Sequence, residues 1–320
     1  MSDVLLHTRP AEGTDLPLSG WRHNVGKPVS LDLAENGSRP QRSLVVLSWN
    51  VWIGRGDIVR VVTRIRQGEY AELGIPGDLP FVALLQEAYR AGDTVPPESN
   101  SFHARGFSLR ALHREHEIRA VAGALELNLR YAPSMRNGMH QSDRGNAVLS
   151  DLPFVGAFAQ ELPFVLQRRV AVGATIRLGE RLVHVHSAHF DPRGGSARDL
   201  LGIVGRERQA SALLDGMKSD TDATRVLGAD LNLVRQRREP AFRALMEAGF
   251  VTGIPDPSLR WKHTFHRPPR LILDWLMVRD RAGAVGGMQA IRLDENPQDR
   301  GPYVFGSDHH PLLCRIDFHP

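Results

Sequence analysis

The 320-residue chain lacks long apolar runs and has only one cysteine, and these absences exclude several classes of protein. No stretch of about eighteen apolar residues occurs, so no transmembrane helix is expected. Residues 1–20 carry charges and prolines where a secretory signal would have an apolar core, which predicts a cytoplasmic protein. Cys314 is the single cysteine, so no intramolecular disulfide can form, in agreement with a reducing compartment.

The chain also lacks a dense block of lysine and arginine, although its formal net charge is +4. The nearest approach to a basic patch is Arg235-Gln236-Arg237-Arg238. Because arginine binds phosphate through a planar guanidinium, an anionic substrate is one interpretation of this composition. Arginine-rich codon usage is the other. Neither an internal repeat nor a low-complexity tract is found.

Apolar residues make up 42% of the chain, enough to bury a large α/β core. Residues 1–42 are rich in Pro, Gly, Asp and Ser without sustained periodicity, and we expect them to form an irregular or partly disordered leader. From residue 43 short apolar runs alternate with helical patterns, which predicts a single domain over residues 43–320. Helices are predicted over residues 57–67, 115–130, 196–217 and 239–248.

Polar side chains follow or adjoin five apolar runs that predict buried strands. They are Asn50 after residues 44–47, Glu87 after 81–85, His189 after 182–185, Asp230 and Asn232 after 225–227, and Asp274 after 271–273. Ligands of α/β proteins gather beyond strand ends, so these side chains are expected to share a site.

Each of these residues taken alone has a structural explanation. Asn50 could cap a turn, and Glu87 could pair with Arg90. Asp230 and Asn232 could form an Asx turn around Leu231. Asp274 lies inside an apolar run and must be paired, hydrogen-bonded or ligating, because an isolated buried carboxylate costs several kcal/mol.

The C-terminal sequence Ser307-Asp308-His309-His310-Pro311 places a carboxylate next to an imidazole where a loop meets a strand. This pair suits a metal-assisted hydrolase, in which the carboxylate holds a cation or its water and the histidine moves a proton.

The order Trp-Asn, Gln-Glu, Ser-Ala-His, Gly-Ala-Asp-Leu-Asn, Leu-Asp-Trp and Ser-Asp-His resembles the endonuclease/exonuclease/phosphatase superfamily. The resemblance covers residues 43–318. Residues 144–150 look like the central strand of that superfamily, and Arg206 with Gln209 looks like its Arg-x-x-Gln helix. The resemblance implies an α/β fold of four layers, in which two mainly antiparallel sheets face each other and helices flank them.

The resemblance also implies a role for each polar anchor. Glu87 would be the principal ligand of a Mg²⁺ or Mn²⁺ ion, supported by Asn50 and Asp308. His309 would contact the scissile phosphate and transfer a proton, and Asp274 would orient its imidazole. The remaining members would act on water and phosphate: Asp230 by activating water or assisting the leaving group, Asn232 by holding phosphate oxygens, and His189 by donating to the phosphate. All-oxygen ligands suit Mg²⁺ better than zinc.

Alternatives remain at this stage. The spacing His184-x-His186-x-x-His189 resembles binuclear zinc hydrolases of the metallo-β-lactamase type, although Ala188 stands where that pattern requires Asp. His186 could also replace His189 as the phosphate donor. A catalytically silent binding module on the same fold is a further alternative, but silent members are expected to lose the polar anchors that this chain keeps.

The substrate is less well defined by the sequence. A nuclease is favoured, with lipid, inositol or small-molecule phosphodiesters as the alternative. Residues 235–238 and 267–270 could contact phosphates, although a solvated face explains them equally well. Four further side chains could stack on a base or pack in the core: Trp261, His263, Phe265 and His266.

Overall fold

A computed structural model describes residues 7–9, 15–34, 42–98, 116–217, 223–254, 263–295 and 301–320. The helices are α1 (Asp15–His23), α2 (Ile58–Arg66), α3 (Ile118–Leu125), α4 (Ile203–Gly216) and α5 (Pro240–Glu247). The strands are β1 (His7–Arg9), β2 (Val29–Leu31), β3 (Ser43–Asn50), β4 (Phe81–Ala91), β5 (Asn128–Arg136), β6 (Ser142–Ser150), β7 (Phe154–Glu161), β8 (Val170–Leu178), β9 (Arg181–His189), β10 (Thr224–Asp230), β11 (Phe250–Ile254), β12 (Asp274–Arg279), β13 (Val285–Arg292) and β14 (Leu312–Phe318).

The strands form two sheets of seven strands each. The first sheet has the order β1-β7-β8-β9-β10-β12-β11, and the second has the order β13-β14-β3-β4-β6-β5-β2. Most neighbouring strands are antiparallel, but β3 pairs with β4, β9 with β10 and β1 with β7 in parallel.

Apolar side chains on alternate strand positions separate the fold into layers. Between the sheets, Val82 and Leu84 of β4 pack in one cluster with Val183 and Val185 of β9. On the outer face of the second sheet, Leu85 packs with the buried faces of α2 and α3. On the outer face of the first sheet, residues of β10 and β12 pack with α4 and α5. This arrangement confirms the predicted four-layer α/β sandwich.

Each of the four predicted ranges contains one α-helix of the structure, but the helix ends differ from the prediction. Helix α2 begins after Asp57, whose carboxylate accepts a hydrogen bond from the Arg60 amide at 3.0 Å. Helix α3 ends at Leu125 because Glu126 adopts a left-handed backbone with φ 54°, so the last residues of the predicted range belong instead to β5. The predicted helix 196–217 is interrupted at Gly202, which has φ 72°, and α4 begins only at Ile203.

The structure of the N-terminal segment differs from the expectation of an irregular leader. Residues 15–34 contain α1 and β2, and β2 pairs with β5. The physical reason is apolar burial at helical spacing: Leu18 and Trp21 are both buried, and Trp21 lies 6.2 Å from Phe164 between ring centroids. Within the described residues, no helix combines the length and the apolarity needed to cross a bilayer.

Candidate active site

The polar strand ends predicted from the sequence meet at one edge of the two sheets. Seven of the eight predicted site residues line a cavity of about 430 Å³, and the eighth, Asp274, lies behind His309. The seven are Asn50, Glu87, His189, Asp230, Asn232, Asp308 and His309.

The first sheet contributes a row of three side chains across adjacent strands. In the strand register Asp230 of β10 lies opposite His189 of β9 on one side and opposite Asp274 of β12 on the other. Because β9 and β10 are parallel and β12 is antiparallel to them, two strand ends and one strand beginning coincide at this edge. His189 is on the same face of β9 as Val185, toward the second sheet, whereas His184 and His186 are on the opposite face.

A β-bulge in the second sheet directs Glu87 into the cavity. Gln86 and Glu87 of β4 lie opposite the single residue Asn146 of β6, and Glu87 has a left-handed backbone with φ 54°. In a regular strand these two side chains would point to opposite faces. With the bulge, Gln86 donates to Ser187 Oγ at 3.1 Å across the two sheets, while Glu87 lines the cavity.

The loop before β14 supplies Asp308 and His309. The Trp49 indole donates to the His309 carbonyl at 2.8 Å, and the Ser307 hydroxyl donates to the Asn50 carbonyl at 2.7 Å. Ser307 Oγ also accepts from the His309 amide at 3.1 Å. These bonds attach the loop to the end of β3, so the small residue before the Asp-His pair fixes its position beside Asn50.

His309 and Asp274 form a buried hydrogen-bonded pair. His309 Nδ1 is 2.7 Å from Asp274 Oδ2, which leaves Nε2 facing the cavity. Burial opposes protonation of this imidazole, but the carboxylates of Asp274, Asp230 and Asp308 outweigh burial and raise the pKa of His309 to about 10. The pair can therefore hold a proton next to the cavity at neutral pH.

Asp230 is the polar centre of the cavity. Its Oδ2 accepts from Asn50 Nδ2 at 2.8 Å and lies 3.4 Å from His189 Nε2 and 3.9 Å from His309 Nε2. Its Oδ1 accepts from the Asn232 amide at 3.1 Å, so the Asx turn predicted from the sequence is present beside the cavity. Burial and the negative charge of Asp274 raise the pKa of Asp230 to about 7.

His189 and Asn232 are neutral side chains that both line the cavity. Burial, together with the positive charges of Arg169, His309 and Arg144, lowers the pKa of His189 well below its usual value, so the ring is neutral. The Asn232 side chain donates one of its two amide hydrogens to the Phe190 carbonyl at 3.0 Å, which leaves the other for a ligand.

Glu87, Asn50 and Asp308 form an oxygen-rich donor set that fits a hard divalent cation. Burial raises the pKa of Asp308, and the negative charge of Glu87 adds to the rise while His309 opposes it. Asn50 Oδ1 accepts one bond, from the Trp52 amide at 3.0 Å, and has a second lone pair for a ligand. A cation between the two carboxylates would relieve their repulsion. Asp230, Asp274 and His309 also have ligand atoms within 4.8 Å of one another, but Asp274 and His309 are already bonded to each other.

Two buried arginines at the cavity were not identified as site residues from the sequence. Arg144 and Arg169 both line it. Arg169 Nε donates to Asp191 at 3.1 Å, whereas Arg144 Nε has no hydrogen-bond partner among the described residues. No strand was predicted around Arg169, and only the fold shows that both side chains face the cavity.

Arg206 and Gln209, the Arg-x-x-Gln pair of α4, support the cavity indirectly through contacts with Asp191. Gln209 Nε2 donates to Asp191 Oδ2 at 3.1 Å, and the Gln209 carbonyl oxygen accepts from the Asp191 amide at 3.0 Å. Arg206 forms a fully buried ion pair with Glu239 and donates to the Asp191 carbonyl at 3.2 Å. The helix thus fixes the segment after His189, which in turn holds Arg169.

The structure bears on three alternatives from the sequence: a zinc site of three histidines, His186 as the phosphate donor, and an ion pair between Glu87 and Arg90. Because His184 and His186 are on the face of β9 opposite His189, the three imidazoles cannot share a zinc ion. Burial lowers the pKa of His186 to about 3, and this ring packs 5.7 Å from Phe158 rather than in the cavity. Arg90 pairs with Asp143, not with Glu87.

Of the residues predicted to contact phosphates or bases, some line the cavity or contact its lining residues and others do not. Residues 235–238 do not line the cavity, whereas Arg267 donates to Asp308 at 3.3 Å. Phe265 lies 5.0 Å from the His309 ring and lines the cavity. His263 and His266 instead pack against His310. Trp261 lies outside the described residues.

The sequence profile of the endonuclease/exonuclease/phosphatase family matches residues 47–309, which include all eight predicted site residues. The chain belongs to this family. The profile match confirms the sequence resemblance at the level of the family. Members of the endonuclease/exonuclease/phosphatase family are phosphoric ester hydrolases that generally use divalent metal ions.

Solved structures of the endonuclease/exonuclease/phosphatase fold are similar to this chain at low identity. An endonuclease/exonuclease/phosphatase from Beutenbergia cavernae has 20% identity and a TM-score of 0.57, with 87% of this chain and 72% of that chain covered. The human Nocturnin catalytic domain with bound sulfate anion has 15% identity and a TM-score of 0.55, with 92% and 98% covered. SmcL has 15% identity and a TM-score of 0.54, with 86% and 99% covered.

These identities support the fold and leave the substrate open. No curated protein gives a significant sequence match.

Proposed function

We propose that this protein is a phosphodiester hydrolase that depends on Mg²⁺ or Mn²⁺, and that its substrate is a nucleic acid. The observation that carries the proposal is the convergence, in one cavity, of an oxygen-rich cation site with a buried His–Asp pair. Phosphoryl transfer needs positioning and charge stabilisation more than covalent catalysis, and this cavity offers both.

Glu87, Asn50 and Asp308 would hold the cation, with Glu87 as its principal ligand. Two carboxylates and an amide oxygen are the ligand types that Mg²⁺ and Mn²⁺ prefer. When bound, the ion would stabilise negative charge on the phosphate oxygens.

His309 would act on the scissile phosphate through Nε2. Asp274 fixes the orientation of the imidazole by binding Nδ1, and the surrounding carboxylates keep the ring protonated at neutral pH. A positively charged imidazole at this position can bind a phosphate oxygen and can supply a proton to a leaving group.

Asp230 would take a proton from the attacking water or assist the leaving group. Its pKa of about 7 suits proton exchange at neutral pH, because it is near the pH at which the enzyme would work. Neutral His189 and the free amide hydrogen of Asn232 would donate to phosphate oxygens as negative charge builds.

Aromatic and basic side chains at the cavity favour a nucleic acid over other phosphodiesters. Trp52 lines the cavity and stacks on Tyr303 with ring centroids 5.0 Å apart, and the Arg55 guanidinium lies 3.9 Å from the Trp52 ring centroid. All three side chains are partly exposed. Stacked aromatic rings with adjacent arginines are typical of surfaces that bind single-stranded bases and phosphates.

The test is the hydrolysis of labelled single- and double-stranded DNA with Mg²⁺, compared with phospholipid and inositol phosphate substrates. We expect DNA cleavage that EDTA abolishes and that His309→Ala lowers by at least ~100-fold. His140→Ala is the matched control, because His140 is exposed and does not line the cavity. Fragment lengths would distinguish internal cleavage from cleavage at the ends. Metal-dependent hydrolysis of a lipid or inositol substrate without DNA cleavage would overturn the nuclease assignment.

A further inference from the structure

A second group of metal-ligating side chains lies outside the cavity. One ring nitrogen from each of His263, His266 and His310 lies within 4.8 Å of the other two. None of the three lines the active-site cavity. His266 and His310 are buried and His263 is partly buried, so the cluster is largely removed from solvent.

The hydrogen bonds of the cluster direct two lone pairs at each other. His266 Nε2 is 2.6 Å from the Gly301 carbonyl, and His310 Nδ1 is 2.8 Å from Asp294 Oδ1. Both partners accept hydrogen bonds, so each of these ring nitrogens carries a hydrogen. In the neutral rings the inner nitrogens, His266 Nδ1 and His310 Nε2, are then both acceptors, yet they lie 2.8 Å apart.

An extra proton could resolve this contact, but the surroundings favour a metal ion. His263 Nε2 is buried without a hydrogen-bond partner among the described residues, so a third ring nitrogen is available to a ligand. A shared proton would use two of the three nitrogens and leave this one unused.

We propose that His263, His266 and His310 bind a divalent transition-metal ion of the zinc type. Imidazole nitrogens suit Zn²⁺ and its neighbours rather than Mg²⁺, so this site would differ in metal preference from the oxygen-rich cavity. Tetrahedral Zn–N bonds of ~2.0–2.1 Å require nitrogens ~3.3 Å apart. His266 Nδ1 and His310 Nε2 lie 2.8 Å apart, and the ligand nitrogens of all three rings lie within 4.8 Å of one another. Three imidazoles leave one ligand position for water.

Asp294 would support this ion from outside. A carboxylate that accepts from the outer nitrogen of a metal-bound histidine fixes the ring orientation and raises the basicity of the ligand, and Asp294 has this relation to His310. Asp294 is therefore a positioning residue for the proposed site.

The consequence of metal binding would be structural support for the active-site loop. His310 follows His309 directly, and the His266 amide donates to the Asp308 carbonyl at 2.7 Å. The His310 amide donates to the Thr264 carbonyl at 2.8 Å. An ion bound to both segments would tie the loop that carries Asp308 and His309 to the segment that leads into β12.

The test is a titration of the metal-free protein with Co²⁺, monitored by ligand-field absorption, followed by displacement with Zn²⁺. We expect one equivalent of Co²⁺ with the intense spectrum of a tetrahedral site. Asp294→Asn should weaken binding by ~10- to 100-fold, and His263→Gln/His266→Gln should weaken it further. His140→Gln should bind like the wild type. Glu87→Gln should also keep the site, because it removes only the ligand in the catalytic cavity.

Circular dichroism and thermal unfolding would show whether the double variant folds. If it does not fold, the wild-type spectrum and the metal affinity of Asp294→Asn test whether the histidine cluster binds the ion. Absence of saturable Co²⁺ and Zn²⁺ binding by the wild type would overturn the proposal. So would a weak octahedral spectrum, or binding that Glu87→Gln abolishes and the histidine substitutions leave intact. These measurements report metal binding alone, so their failure is distinct from failure of the proposed hydrolase activity.

Discussion

At the scale of single residues, the contact between His309 and Asp274 is the most consequential one in the cavity. It fixes which ring nitrogen faces the cavity and keeps the imidazole charged. Asp274 has no contact with the cavity itself, so its effect on the reaction passes through His309. A substitution that keeps its shape and removes its charge therefore tests this role without creating a void.

Asp274→Asn is expected to lower kcat by 10²–10⁴-fold with a small change in KM, because the amide can favour the wrong tautomer of His309 and cannot stabilise its charge. Steady-state kinetics on the best available phosphodiester would measure this. Asp93→Asn is the control, since Asp93 is exposed. A kcat within a factor of two of the wild type would remove Asp274 from the mechanism.

Asp230 predicts a particular dependence of stability on pH in the metal-free protein. Its pKa rises from 3.8 to about 7 on folding, so the folded state holds this proton more tightly than the unfolded state. The stabilisation is complete below the unfolded pKa near 4 and is lost as the pH rises through about 7. A pKa rise of this size corresponds to roughly a few kcal/mol in the free energy of unfolding.

Asp230→Asn removes this proton equilibrium. In urea unfolding with EDTA, the wild type should lose stability relative to the variant between pH 4 and pH 8.5. The test compares the pH dependence of stability and not the absolute stability of the variant, because the amide also changes the hydrogen bonds to Asn50 and Asn232. Parallel pH profiles for the two proteins would show that Asp230 is not the titrating group.

At the scale of secondary-structure elements, the bulge in β4 determines the position of the Glu87 carboxylate. Gln86 and Glu87 share one partner residue in β6, and the left-handed backbone at Glu87 is unfavourable for any residue with a Cβ atom. The sequence motif Gln-Glu predicted a site residue at a strand end. It contained no sign that the strand continues to Ala91 and that a bulge turns Glu87 toward the cavity.

Glu87→Gly should therefore be more stable to unfolding than Glu87→Ala by about 1 kcal/mol, because glycine adopts this backbone conformation freely. Both variants should lose metal-dependent activity, since neither has a carboxylate. Urea denaturation midpoints for the two variants provide the comparison. Equal or reversed stabilities would contradict a strained backbone at this position.

Helix α4 shows what the sequence could and could not predict at this scale. Arg206 and Gln209 were recognised as a motif, but their role depends on contacts far along the chain, with Glu239 and Asp191. The interruption at Gly202 was visible in the sequence only as a glycine near the predicted helix start. Trp52 and Tyr303 were not identified from the sequence either, because 251 positions separate these two rings, which stack in the fold.

At the scale of the whole molecule, the spacing between the two sheets determines how far apart the two halves of the site lie. The first sheet carries His189, Asp230 and Asp274, and the second carries Asn50 and Glu87. The apolar runs predicted buried strands, and the four-layer fold was predicted from the family resemblance that the order of the polar motifs carries. The sheet spacing was not predictable, because it depends on inter-sheet contacts such as that of Gln86 with Ser187.

Gly228 lies where the sheets approach closely beneath the site. A Cβ atom at this position would lie 2.6 Å from Ser48 Oγ and 2.9 Å from Leu84 Cβ. We expect Gly228→Ala to lower the free energy of unfolding by ~1–3 kcal/mol and to reduce activity by displacing the two halves of the site. Gly123→Ala is the matched control in α3, where no atom lies within 4 Å of the added Cβ, and it should stabilise the protein. Similar stabilities for the two variants would contradict a close sheet contact.

The proposed function requires that the two halves of the cavity together hydrolyse a phosphodiester with the help of a divalent cation. The most direct measurement is the rate of bis(p-nitrophenyl) phosphate hydrolysis with Mg²⁺ or Mn²⁺ by the wild type, Glu87→Gln and His309→Ala, because this small diester requires no particular natural substrate. We expect hydrolysis by the wild type that EDTA abolishes and that each substitution lowers by at least ~100-fold. Equal rates in the wild type and both variants, or full activity in EDTA, would contradict it.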